Sequence, residues 1–529
     1  MGIPSYFKHI ITSYRNIIKE YSVSLNINNL YLDSNSIIYD VILQLEDKGT
    51  NNIKNIENLI FKNTCHKIVE YISVIKPSDC VFIAFDGVAP VAKLHQQKTR
   101  RYKGEIEKDI FSRLGHENSS IFNRALITPG TSFMNKLEKY VEKFFSNDEK
   151  FGVKKIIVNG PNKSGEGEHK IYEYIRTNID FHKDRKTVIY GLDADLLMLT
   201  LNHLEYTENL YLFRETPHFI QSLDKSLEPN KSYLIDMPKM ADKIVSDLDI
   251  ETANVSEKIN LLRDYIFIFF FLGNDFLPHF PALNIRTDGI NRITAAYQMT
   301  LKKVGNLTNN NNINWKNLQV FIEILSKQEE QFIIEENYVR DKQSNKIKKF
   351  IKDDKDYYLN LPILDRVKEE YINVGEDGWE ERYYNILLNV ERSEQNVKNI
   401  VINYFEGLEW TLKYYTTGCV DWAWYYKHNY PPLLIDINYH VPHFNISFID
   451  VDNNNQPVDP QVQLAYVLPK SCLHYMNKKL YNNLIKKGIK LGCDNSEIEY
   501  AYCRYIWEGH INGECIELEK LKKIIEYNK

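Results

Sequence analysis

Residues 186–199 read KTVIYGLDADLLML. A β-branched, apolar run from Thr187 to Tyr190 breaks at Gly191, passes Asp193 and Asp195, and becomes leucine-rich. That is a strand handing over to a helix through a short turn. The same pattern recurs upstream. NLYLDSN (29–35) is an apolar run ending in Asp33, and CVFIAFDG (80–87) ends in Asp86. KKIIVNG (154–160) leads into SGEGEHKIYEYI, which carries Glu166 and Glu168. NLYLFRE (209–215) is a further strand candidate. Strands alternating with helical segments predict an α/β fold, a mostly parallel central sheet flanked by helices. In such sheets, sites form at the carboxyl ends of the strands.

The chain has 529 residues, which at about 150 residues per domain allows roughly two to four domains. We expect a catalytic core over residues 1–305, then a helical segment and charged linker over 306–356. A second, mixed helical region over 357–529 is expected to pack against the core. NLTNNNN (306–312) reads as a loop, and VRDKQSNKIKKFIKDDKD (339–356) as a linker, because charge is dense and apolar residues are few. The net charge of −5 argues against a protein that coats duplex nucleic acid. It leaves room for an enzyme with a local basic stripe. Seven cysteines, an odd number with no CxxC pair, argue against a disulfide framework or zinc ribbon. They point to an intracellular, reducing compartment; KIKKF (346–350) is basic but short, a weak import signal, and the cytoplasm is expected in preference to the nucleus. The apolar run YIFIFFFL (265–272) is far shorter than the ~20 residues of a membrane span. It reads as a buried helix, and no membrane partner is expected.

Asp33, Asp86, Glu166, Glu168, Asp193, Asp195 and Asp275 (in FLGNDFLPH) stand at comparable places, after a strand or at a helix boundary. Each alone is explained by helix capping, where an acid meets unpaired N–H groups and the positive helix end. Together at one sheet edge they would repel one another strongly, and such a cluster normally requires cations. Oxygen-only ligands favour Mg²⁺ or Mn²⁺ over Zn²⁺. Two such ions ~4 Å apart suit phosphodiester hydrolysis. Directly after Asp86 comes FDGVAPVAKLHQQKTRRYK (85–103). Lys93, Gln97, Arg100 and Arg101 fall on one helical face. A solvated basic face is the plainer reading of such a stripe; its position beside Asp86 favours a phosphate site.

These motifs, with MGIPSYFKHI, GWEERYY, GLEWTLKYYTTGCVDWAWYYKHNYPP, QLAYVLPKS and IWEGHINGEC, resemble the XRN family of 5′-to-3′ exoribonucleases. That family lies within the flap-endonuclease-like nucleases, with a PIN/FEN-like core. The similarity spans most of the chain. It implies that the seven carboxylates bind two Mg²⁺ ions, for which Mn²⁺ can substitute. It implies processive hydrolysis of single-stranded RNA bearing a 5′ monophosphate, releasing nucleoside 5′-monophosphates. Lys93, Gln97, Arg100 and Arg101 would hold the terminal phosphate. Where the family usually has Gly and His, this chain has Ser36 and Tyr39. Tyr39 can still stack on a base, since stacking tolerates different rings. Its partner should be Trp422 or Trp424, with Trp422 favoured and core packing as the alternative for either. The long C-terminal extensions of larger members are absent from this sequence, so a minimal, monomeric catalytic core is expected. A flap endonuclease acting on DNA is disfavoured, because NIRTDGINRITAAY (284–297) holds one Gly where a Gly-rich DNA-gripping element would stand. A catalytically inactive RNA-binding scaffold is disfavoured because all seven carboxylates are present.

Overall fold

The computed structural model describes residues 5–48, 55–116, 120–191, 193–215, 228, 231–248, 254–450 and 455–528. Its centre is a seven-stranded sheet. The strands are β1 (Ile18–Glu20), β2 (Asn29–Asp33), β3 (Cys80–Ala84), β4 (Lys155–Asn159), β5 (Thr187–Tyr190), β6 (Leu210–Glu215) and β7 (Ser232–Asp236). Their spatial order is β1-β7-β6-β5-β2-β3-β4. The five central strands pair in parallel, and β7 and β1 add an antiparallel edge. The chain leaves β2 toward β3 and β4 on one side, and reaches β5 and β6 on the other. The β2/β5 junction is therefore the switch point, where crevices open at strand carboxyl ends.

Alternation along the strands explains why both faces are covered. Leu30, Leu32, Val81, Ile83, Val188 and Tyr190 enter one apolar cluster; Tyr31, Phe82 and Ile189 enter the other. Successive side chains point to opposite faces, so strands that are apolar throughout need helices on both. The second cluster continues into the rest of the chain. There YIFIFFFL forms the buried end of helix Val255–Phe269 and the 3₁₀ turn Phe270–Leu272. No helix among the described residues is long and apolar enough to cross a membrane.

Two expectations are corrected, and one cysteine pairing has no sequence signal. The charged stretch from Val339 is no linker: helix Glu329–Ile347 runs through it, and helix Asp354–Leu359 follows. Its interior is polar. Arg340 is buried and donates to both carboxylate oxygens of Glu369 and to the carbonyls of Pro362 and Cys503. A paired buried guanidinium produces no apolar period, so the helix is invisible to a hydrophobicity reading. NLTNNNN is a hairpin, β8 (Thr308–Asn309) and β9 (Asn312–Ile313), turned by Asn310 and Asn311 at φ 45° and 65°. Asn tolerates that left-handed pair. Finally, β10 (Cys493–Glu499) and β11 (His510–Cys515) pair antiparallel, with Cys493 opposite Cys515 and joined to it by a disulfide. The other five cysteines are free, so this is a single staple and not a framework.

The segments after residue 400 wrap the long helix Val91–Arg113. The Val91 amide donates to the Trp422 carbonyl at 2.9 Å. The Tyr102 hydroxyl donates to the Leu468 carbonyl at 3.2 Å, and the Lys103 ammonium to the carbonyls of Trp507 and Gly509.

Candidate active site

The acidic residues arrive at the carboxyl edge by separate local routes. Asp33 is the last residue of β2. Asp86 lies two residues past β3, and its carboxylate accepts from the Gly167 amide (2.7 Å) and the Asn35 amide side chain (2.6 Å). Glu166 is the residue preceding helix Gly167–Thr177, which puts Glu168 in its first turn. Asp195 opens helix Asp195–His203 after β5. These strands, β5-β2-β3-β4, are consecutive in the sheet. Gly167 makes the convergence possible: a Cβ there would fall 2.6 Å from Asp33 Oδ1. Lys170 locks the same turn by donating to the carbonyls of Phe85 (2.7 Å) and Gly160 (2.9 Å).

One cavity of about 270 Å³ is lined by Asp33, Asp86, Glu166, Glu168 and Asp193, and equally by Lys93, Gln97, Arg100, Arg101, Ser36 and Tyr39. Five of the seven expected carboxylates thus share a chamber with all four residues of the basic helical face. Asp195 and Asp275 stand outside its lining. Asp275 is tied to it through Lys93, whose ammonium lies 2.8 Å from Asp275 Oδ2 and 2.8 Å from Glu166 Oε1. Lys93 therefore sits between carboxylates, whereas Gln97 and Arg101 keep polar atoms unengaged. Gln97 Oε1 and Arg101 Nη1 are buried with no hydrogen-bond partner among the described residues.

The electrostatics follow from crowding and burial. Burial, then the charges of Asp86, Asp193 and Glu166, push the Asp33 carboxyl well above the usual range. Glu168 is raised in the same way by burial and by Glu166. Asp195 is pushed up to about 7 by burial and by Asp275. Asp275 goes the other way: burial works against its charge, but the cations around it, Lys93 first and Arg100 among them, together hold the carboxyl below the ordinary value. Carboxylates raised together in this way describe a site short of positive charge. Asp33 Oδ1, Glu168 Oε2 and Asp195 Oδ1 are buried with no hydrogen-bond partner among the described residues. Glu166, Glu168 and His169 also bring one ligand atom each within 4.8 Å of one another. Orphaned, buried, hard oxygen donors fit a divalent cation.

The two tryptophans separate. Trp424 is 7% exposed. Its ring stacks on Trp410 at 5.1 Å, and its indole N–H donates to Glu406. It is a packing residue. Trp422 is half-buried, and its carbonyl caps the start of the basic helix. Two contributors lie within motifs quoted above, with no local pattern that marks their role. Asn35 steers Asp86 from both sides, accepting its amide and donating to its carboxylate. Tyr414, on helix Glu394–Thr416, donates to Glu166 Oε2 at 2.7 Å. Its ring lies 3.7 Å from the His169 ring and stacks on Trp410 at 4.6 Å.

The fold and cavity define a mostly parallel α/β protein whose acidic site lies at the sheet's switch point beside a basic helix. Comparison with known families is consistent along the chain. Residues 1–216 match the XRN 5′-3′ exonuclease N-terminus, and residues 256–363 and 352–524 match the Xrn1 helical domain. The chain belongs to the XRN family of 5′-3′ exonucleases. It is 27% identical to 5′-3′ exoribonuclease 1 of Saccharomyces cerevisiae, over 89% of this chain and 39% of that protein. It is 25% identical to 5′-3′ exoribonuclease 2 of Arabidopsis thaliana, over 96% of this chain and 65% of that protein. For 5′-3′ exoribonuclease 1 of Homo sapiens the identity is 28%, over 89% and 30%. The chain therefore spans less than two thirds of the length of each of these relatives. Asp275 lies in the second of the two matched regions.

Proposed function

We propose that the chain is a processive 5′-to-3′ exoribonuclease that degrades single-stranded RNA bearing a 5′ monophosphate. The observation that supports this most is the shared cavity, in which five carboxylates of the sheet edge face Lys93, Gln97, Arg100 and Arg101. Asp33, Asp86, Glu166, Glu168, Asp193, Asp195 and Asp275 would hold two Mg²⁺ ions, or Mn²⁺ in their place. Such ions supply an activated water and stabilise the charge on the leaving 3′ oxygen. The remaining work belongs to the side chains. Arg101 is desolvated, and burial lowers its guanidinium to about 10, so it stays charged at neutral pH with a buried N–H unengaged. A terminal phosphate satisfies it, and Gln97 and Arg100 flank the same position on the helix. Charge-assisted bonds of this kind are the strong ones. Tyr39, on the cavity wall, and Trp422 would hold the leading bases by stacking, which is tolerant of sequence. Ile127 and Pro129 also line the cavity, whose walls would exclude a cap or triphosphate by size.

Three RNAs of one sequence, ending in 5′ monophosphate, hydroxyl or triphosphate, test the reading in Mg²⁺ buffer. The monophosphate substrate should be consumed from its 5′ end to nucleoside 5′-monophosphates, about 10-fold or more faster than the others, since each charged bond is worth roughly 1.5–3 kcal/mol. Equal rates on all three overturn the phosphate pocket. No cleavage of any by folded protein overturns the enzyme.

A further inference from the structure

Helix Val91–Arg113 has a second cavity on its other flank, about 200 Å³ in volume against about 270 Å³ for the acidic one. Arg100 and the carboxylate ligand set meet both spaces. Arg100 lines each cavity, and Asp275, joined to the acidic cluster through Lys93, lines the second. Side chains of the two linings also bond one another. Lys93 bonds Asp275 Oδ2 at 2.8 Å, and the Gln96 amide reaches Asp275 Oδ1 at 3.4 Å. Opening such a partition takes rotamer changes that break a buried ion pair.

The second cavity is chemically furnished. Gln96 Oε1, Asn274 Nδ2 and the Tyr502 hydroxyl, all on lining residues, are buried with no hydrogen-bond partner among the described residues. Buried polar atoms of both senses call for a ligand or water that both donates and accepts. Burial holds the lining histidines His95 and His510 down, to about 4 and about 3, so they are neutral. At the wall, Trp507 is 41% exposed and stacks on Tyr505 at 5.8 Å, with the Arg286 guanidinium over both rings. Of the other lining charges, Arg286 is paired with Glu508, Lys103 is tied to backbone carbonyls and Asp275 is paired with Lys93. The guanidinium shared with the first cavity, the neutral amides and an aromatic face match a nucleoside carrying a single phosphate. They do not match a long polyanion, which would need a track of free cations.

A steric requirement gives this space a role, and the inference rests on the exoribonuclease reading above. In a pocket that binds the 5′ phosphate at its closed end, the freed mononucleotide lies between that end and the remaining RNA. If the RNA is to stay bound through successive cuts, the product needs a way out other than the way the strand came in. We propose that the cavity behind the Lys93–Asp275–Gln96 partition receives the released nucleoside 5′-monophosphate and is its route of exit. Arg100, facing both spaces, holds the phosphate as it crosses. Cleavage and release are then spatially separate steps on the two flanks of one helix.

Filling the cavity from either wall tests this. Thr99→Phe plugs it from the helix, and Asn429→Phe plugs it from the opposite segment; both residues line it. Metal-free protein titrated with adenosine 5′-monophosphate should bind two equivalents, one in each cavity, and either plugged variant should bind one. With RNA and Mg²⁺, the plugged variants should keep the first, single-turnover cut at its normal rate. Their steady-state production of mononucleotide should fall about 10-fold or more, with a burst equal to the enzyme concentration. One binding equivalent that both plugs leave intact, or unchanged steady-state release, overturns the exit route. Crystals of the unaltered protein soaked with the mononucleotide test the same point without any variant: density beside Asn274 and Gln96 supports the route, and density confined to the Arg101 side overturns it. Failure of the parent reading is distinguishable, because unaltered protein would then cut no RNA at all whatever its nucleotide stoichiometry.

Discussion

The carboxyl edge of the sheet and the helix Glu394–Thr416 deliver side chains to the same acidic cluster by opposite means. At the edge, each acid is placed by its own neighbours: Asp33 by the end of β2, Glu166 by the start of the next helix, Asp195 by the start of another. Tyr414 has no strand end or helix start to place it; its local support is the ring of Trp410, four residues back on the same helix. It reaches Glu166 across 248 residues of sequence, and it is aimed by a stack of rings, Trp424 on Trp410 on Tyr414 on His169. Stacked aromatic pairs each add about 0.5–1.5 kcal/mol beyond burial, so the ladder is a stiff arm. One region supplies charge through strand ends. The other supplies orientation through packing. If this division holds, edge substitutions should remove chemistry, and arm substitutions should change only how tightly the cluster is set.

The largest expected effect is therefore at the edge. Asp193→Ala should lower the cleavage rate by about 10³-fold or more, the scale of several kcal/mol of lost metal-borne stabilisation. Binding of 5′-phosphorylated RNA should survive, because Arg101 and Gln97 are untouched. Single-turnover cleavage and filter binding on the same preparation check both halves. Cleavage within a few-fold of the unaltered protein would remove Asp193 from the ligand set and break the comparison at its strongest point.

What the sequence could and could not show follows the same line. Strand-end acids are legible because a short apolar run and a following helix lie within a dozen residues, and both periods are visible. The face holding Lys93, Gln97, Arg100 and Arg101 is legible because helical spacing alone brings it together. Tyr414 and the Cys493–Cys515 staple are not, since each depends on a long-range pairing that leaves no local pattern. Trp422 and Trp424 show the limit sharply. They are two residues apart with the same ring, and only packing against Trp410 assigns the second to the core. Helix Glu329–Ile347 was hidden by Arg340, a charged residue at a core position.

An intermediate effect is expected on the helix between the two regions. Arg101→Ala removes a guanidinium that lines the acidic cavity with a buried, unengaged N–H and that we propose holds the terminal phosphate. It should slow degradation of 5′-monophosphate RNA by about 10- to 100-fold, the worth of one charge-assisted bond. RNA with a 5′ hydroxyl should be nearly unaffected. The ratio of the two rates is the readout. A variant that loses both substrates equally would make Arg101 a general RNA-binding residue and shift selection elsewhere.

The smallest effect tests the arm itself. Burial, then the negative charge of Glu166, keeps the Tyr414 phenol protonated, so it donates to Glu166 Oε2 and leaves Oε1 facing Lys93. Outer-shell partners of this kind typically contribute 10- to 100-fold to metal affinity. Tyr414→Phe keeps the ring, and with it the stacking on Trp410 and His169, while removing only the hydroxyl. Mn²⁺ affinity measured without RNA, by calorimetry or by loss of the free-ion spin-resonance signal, should weaken by about 10-fold. The rate at saturating metal should stay within a few-fold of normal, and thermal stability should change little. A packing residue would show the reverse, a lowered melting temperature with metal affinity intact. If Tyr414→Phe binds Mn²⁺ as tightly as the unaltered protein, the arm orients nothing, and the acidic edge is set by its strand ends alone.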